Sequence, residues 1–116
     1  MTAAFPAYAA AVDFYAAASK WSPGSQSGAI WNLEAALPLV RDSVFALANG
    51  YSTFTRNCER DLEGGLHPHM RGALAEVWNG LRAASLAAGA LPKAFNDSYA
   101  DRIAVRNVRG GQTTNV

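Results

Sequence analysis

Apolar residues recur along this chain with a period that a β-strand cannot produce. They stand at Ile30, Leu33, Leu37, Val40, Val44, Leu47, Tyr51, Phe54, Cys58 and Leu62, with spacings that alternate between three and four as far as Cys58 and end on a second four. A repeat near 3.5 residues held over four heptads predicts one long amphipathic helix over about 29–62. Pro38 falls inside it, which predicts a kink or the first turn of the helix's main part. Glu63-Gly64-Gly65-Leu66-His67-Pro68 then reads as a stop, because glycine supplies the left-handed residue that ends a helix and Pro68 suits the first turn of the next. A second stripe follows at Met70, Leu74, Val77, Leu81, Ala84, Ala88, Leu91 and Phe95, and predicts a helix over about 67–105 with a bend near 89–92, where Gly89 and Pro92 interrupt it.

Folding the chain back about Leu66 sets Leu62 opposite Met70, Cys58 opposite Leu74, Leu47 opposite Ala84 and Leu37 opposite Phe95. Large residues then face small ones through the middle, as interdigitating layers require. The pattern predicts an antiparallel hairpin with arms roughly 50 Å long. It also places Leu47 in the seam, so that Leu47→Asp would bury an unpartnered charge and unfold the hairpin. A shorter stripe at Phe5, Tyr8, Val12 and Tyr15 predicts a helix over about 3–19, packed on the hairpin, and Trp21 to Gly28 has the composition of a loop. The expected fold is therefore all-α: a long antiparallel helical hairpin with a shorter N-terminal helix packed on it, a three-helix bundle that oligomerises. Residues 1–108 form a single helical domain in this reading. The segment 109–116, without periodicity, is expected to be a disordered tail.

Composition strengthens the helical reading. The chain holds 24 Ala in 116 residues, and Ala is the best helix former. Its net charge of +1 excludes a strongly charged coat or tail. No apolar run is long enough for a membrane span, and the N-terminal stretch lacks a basic leader and carries Asp13. One cysteine, Cys58, excludes an internal disulfide framework.

Candidate chemistry is sparse. His67 and His69 flank Pro68 near Cys58, Asp61 and Glu63, but a structural zinc site needs four converging ligands, and the reading is a solvated turn with no metal. Cys58 lies in the apolar stripe, which favours an inert thiol over a nucleophile. Glu59, Asp61 and Glu63 beside Arg56 and Arg60 read as surface ion pairs. There is no phosphate-cradling glycine loop, no nucleophile elbow and no zinc-protease pattern. No catalytic residue and no cofactor is assigned, and the chain is not expected to be an enzyme.

What remains is surface. Trp31, Phe45, Trp78 and Leu86 are large and lie off the predicted seam, which marks them as an interface for a copy of the chain or for a helical partner. Arg102, Arg106 and Arg109, spaced four and three, share a helical face and could touch phosphates. The sequence therefore supports a non-catalytic interaction or assembly module. Its alternative is a small accessory DNA-binding protein using the arginine stripe.

The Ala-rich pair of long antiparallel helices and the tripeptide Trp78-Asn79-Gly80 resemble the Trp-X-Gly family of small type VII secretion substrates. That resemblance implies helical hairpins that pair into four-helix bundles, carry no catalytic site and leave the cell with partner proteins. The family sets its tripeptide in the turn between helices, whereas here Trp78 falls inside the predicted second arm. The family's export signal, a Tyr followed four residues later by an acid, meets Ile103 at that distance from Tyr99. The residues themselves point to a cytoplasmic protein, and the resemblance adds secretion without a signal peptide.

Overall fold

The computed structural model describes residues 5–114, with side chains over 5–108. Among these residues the chain is all-α, without a strand. Five helical segments follow one another: α1 (Pro6–Lys20), α2 (Ala29–Leu62), α3 (Pro68–Gly89), α4 (Leu91–Ser98) and α5 (Ala100–Thr114). They fall into two compact units divided between Leu33 and Glu34, within α2.

In the first unit, Pro6 occupies the first turn of α1 and Lys20 the last, where its charge complements the helix dipole. No residue of α1 is buried, and Phe5, Tyr8, Val12 and Tyr15 are exposed. The connection to α2 is held locally. The Gly24 N–H donates to Ser22 Oγ at 3.2 Å, and Asn32 Nδ2 donates to the Pro23 carbonyl at 3.0 Å.

In the second unit, α2 continues through Pro38 within the span that the stripe predicts, so Pro38 neither breaks it nor stands in its first turn. It ends on two residues in left-handed conformation, Glu63 (φ 45°) and Gly64 (φ 87°), and the Gly65 N–H closes the turn on the Leu62 carbonyl at 2.7 Å. The sequence suggests glycines in that role; one of the two is in fact a glutamate. His67 caps α3, its Nδ1 accepting from the His69 N–H at 3.0 Å, with Pro68 in the first turn. Leu66 is buried under the reversal. From there α3 packs against α2, and Arg71 Nε reaches Glu59 Oε1 at 3.4 Å across the turn.

The second arm bends twice. The expected bend falls at Ala90, whose N–H turns back to Ala87 at 3.1 Å ahead of Pro92. The other falls at Tyr99 (φ −122°, ψ 29°), where neither glycine nor proline announces it. The hydrogen-bond ladder bridges Tyr99 on both sides, to Phe95 and from Ile103, each at 3.0 Å, so the arm changes direction without ending. The rings of Phe95 and Tyr99 lie 4.9 Å apart. Backbone helix continues to Thr114, through most of the segment that the sequence reads as tail; Asn115 and Val116 lie outside the described residues.

The buried residues correct the expected seam. Leu37, Ala48, Leu66, Ser85, Ala88 and Phe95 are the most enclosed side chains. Leu37 and Phe95 stand at mirrored positions about Leu66, as do Ala48 and Ser85 within one residue, so the fold point is the predicted one. The facing edge is not. Leu47 is 39% exposed and Val77 52% exposed, and Val40, Met70 and Ala84 are exposed with them. Their neighbours Ala48 and Ser85 are buried instead, and Trp78 is half-buried. Each helix is turned by about half a residue step, roughly 50°, from the expectation, so that Leu37, Val44, Tyr51 and Cys58 stay inward and small residues meet small ones at mid-seam. The reason is contact distance: with Ala48, Ser85 and Ala88 between them, two backbones can approach closely, whereas Leu47 and Val77 would hold them apart.

Three stability results follow. Ala48→Asp should abolish the cooperative thermal transition, because a charge enters the closed seam, while Leu47→Asp should leave the chain helical by circular dichroism. Ser85 Oγ is buried without a hydrogen-bond partner, so Ser85→Ala should raise stability by about 1 kcal/mol in urea titration. Gly64→Ala should lower it by about 1 kcal/mol through the positive φ, while Gly72→Ala, in open space within α3, should raise it by a similar amount.

Candidate interaction surface

The hairpin has two unlike sides, and the heptad positions separate them. The line of more enclosed positions runs along Leu37, Val44, Tyr51 and Cys58 on α2 together with Ala48, four residues after Val44. On α3 it runs along Leu74, Leu81 and Ala88 together with Trp78 and Ser85. Helical geometry places the residues three after each member of the first series on one flank. Because the chain direction reverses between the helices, the two flanks point to the same side of the pair.

That side carries a row of larger apolar residues on each helix: Val40, Leu47 and Phe54 on α2, and Met70, Val77 and Ala84 on α3. Phe54 is half-buried and sets its ring edge-on to Tyr51 at 6.3 Å; the others are exposed. Beyond each row lies a second, of small residues at the same seven-residue spacing. It is Ala36, Ser43 and Gly50 on α2, and Ala73, Gly80 and Ala87 on α3. Neither glycine has any atom within 4 Å of a Cβ built on it. None of these positions bears a charge; the next member of the larger α2 row, seven residues after Phe54, is the charged Asp61.

The other side holds the ionic residues. Glu34 accepts from Arg106 Nη1 of α5 at 2.7 Å, tying the start of α2 within this unit to α5. Arg71 pairs with Glu59, and the Arg82 guanidinium lies 5.6 Å from the centre of the Trp78 ring. Around the outer surface, Arg41 pairs with Asp42 at 3.1 Å and Arg60 with Asp61 at 2.8 Å. The hydrogen bond from Arg60, and then its charge, hold the Asp61 carboxyl below its usual value and raise the guanidinium in turn. Both groups are fully in solvent, so the pair adds little to stability.

The predicted interface residues divide between these environments. Phe45 (45% exposed) and Leu86 (70% exposed) stand at mirrored positions on the ionic side. Trp78 is half-buried on the inward line of α3. Trp31 is half-buried in the first unit, its N–H bonded to the Gly28 carbonyl at 3.1 Å. The uncharged flank escaped the sequence reading because its large residues were assigned to the seam. A signal was present: every charged residue of α2 between Glu34 and Arg60, and both arginines of α3, avoid those heptad positions.

Of the arginine stripe, Arg106 is bound to Glu34, Arg102 is exposed, and the Arg109 side chain lies outside the described ones. Cys58 is half-buried on the seam side of α2. His67 is occupied as a helix cap, and among the described residues no three metal-ligating side chains gather. Nor is any described helix long and apolar enough to cross a membrane. No family model matches the chain, and no curated protein or solved structure matches it either.

Proposed function

We propose that this protein is a non-catalytic interaction or assembly module, which works by presenting an apolar helical face to a copy of itself or to a helical partner. One observation carries the reading. The second unit encloses Leu37, Ala48, Leu66, Ala88 and Phe95, yet leaves Val40, Phe45, Leu47, Met70, Val77 and Leu86 at 39–70% exposure. Singly exposed apolar residues are ordinary, but an array of them along both arms of a hairpin marks a surface that another molecule covers. The resemblance to the small Trp-X-Gly secretion substrates leads to the same class of protein. The alternative, DNA binding through Arg102, Arg106 and Arg109, has less support, since Arg106 is engaged with Glu34 at 2.7 Å.

Light scattering behind a sizing column, at several concentrations and two salt levels, tests the reading. The expected result is a mass above 12.3 kDa that grows with concentration and persists or increases at high salt, as apolar association does. A monomer throughout that bound no helical protein, yet bound duplex DNA with an affinity falling steeply in salt and lost in Arg106→Ala, would replace it with the alternative.

A further inference from the structure

We infer that Pro38 builds a hinge into α2 and that Arg106 of α5 is its latch. Such a device needs no partner molecule, so it stands apart from the interaction-module reading. Proline has no N–H. The Glu34 carbonyl, four residues earlier, therefore receives no helical bond from position 38, and the pyrrolidine ring crowds that carbonyl. About one turn further on, Ser43 Oγ donates to the Leu39 carbonyl at 2.8 Å and competes there with the helical bond. Two consecutive turns of α2 are thus loosened, and the bond that is lost outright sets the pivot between Glu34 and Pro38.

The two sides of that pivot are held differently. From Leu37 onward α2 is fixed by burial, and Leu37 and Ala48 are its two buried residues. Before Glu34, the residues from Ala29 to Leu33 are at most half-buried, and the division between the two compact units falls immediately before Glu34. Glu34 stands on the N-terminal side of the pivot. Arg106 grips it from the other side: its Nη1 donates to Glu34 Oε1 at 2.7 Å, and α5 continues from the buried Phe95 through the helical bonds on either side of Tyr99. The bond therefore spans the pivot from a fixed anchor. It is ionic and its side chains are 42% and 32% exposed, so salt screens it. With the bond made, the hinge is closed. When it breaks, the turn of α2 that carries Trp31 swings about the pivot while the helical ladder beyond Pro38 persists.

Native-state hydrogen exchange of the full chain tests this. The informative amides are those whose helical bonds cross the pivot, Ala35 to Leu37 and Leu39 to Arg41, with Val44 to Cys58 as the reference within the same helix. Arg106→Ala should speed exchange of the crossing amides about two- to fivefold and leave the reference unchanged. Glu34→Gln, which keeps α5 intact, should do the same, as should high salt on the parent chain. Pro38→Ala restores the missing donor and removes the ring. It should slow the crossing amides about tenfold or more and make them indifferent to Arg106→Ala.

Equal acceleration along the whole of α2 would mean that the ion pair only adds to overall stability, and would overturn the latch. Acceleration confined to the crossing amides, but as large in the Pro38→Ala background, would overturn the proline as the hinge. Unchanged exchange in Arg106→Ala, in Glu34→Gln and at high salt would overturn the device as a whole. Should Arg106→Ala loosen α5 itself, Glu34→Gln and the salt comparison decide by the same criterion.

Discussion

The structure depends on the packing of α2 against α3 through small residues. Ala48, Ser85 and Ala88 lie among its most enclosed side chains, and each is small. Small residues at a crossing let backbones come together and multiply dispersion contacts, but they remove little apolar area from water. The larger apolar burial is displaced to the ends, to Leu66 under the turn and to Leu37 and Phe95 at the far mirrored positions. A hairpin built this way is closed in the middle and pinned at both ends, with its bulky mid-helix residues turned outward.

The same constraint explains the second arm's shape. Phe95 is among the most buried residues, although it sits between two bends. Pro92 removes a backbone donor and breaks the straight run of α3, which re-aims α4. The Phe95 and Tyr99 rings pack at a tilt of 41° ahead of α5, and the Arg106–Glu34 bond at 2.7 Å anchors that helix. An ion pair with both partners about one-third to two-fifths exposed adds little energy, but it ties the last helix to the start of α2 in this unit.

Much of this was legible in the chain. The bounds of α2, the reversal near Leu66, the entry of α3 at Pro68 and the bend before Pro92 follow from periodicity and from Gly and Pro chemistry, which act locally. The rotation of the seam does not. A 3.5-residue stripe names two adjacent edges of a helix, and only the partner's shape decides which faces inward; Leu47 outweighs Ala48 in hydropathy, yet Ala48 is the one enclosed. The bend at Tyr99 has no local cause in composition, and tertiary burial of Phe95 is its physical account. The candidate surface was half legible. Phe45 and Leu86 could be named as leftover apolar residues, while Val40, Leu47, Met70 and Val77 were hidden by their assignment to the core.

The width of the stripe carries the remaining argument. A helix with one neighbour needs one apolar edge, and the seam positions of α2 already supply it. The row Val40, Leu47 and Phe54 lies on a second edge at the same seven-residue spacing, and α3 repeats the arrangement with Met70 and Val77. Two apolar edges per helix is the pattern of a helix with two neighbours, as in a bundle of more than two helices. The hairpin in isolation gives α2 and α3 one neighbour each along their shared length. Neutrality and the glycine-widened grooves then distinguish that second edge from an ordinary hydrated flank, on which lysine and glutamate would be free to stand. The heptad pattern thus supports the proposed interaction module, with the exposed rows as the surface it would present.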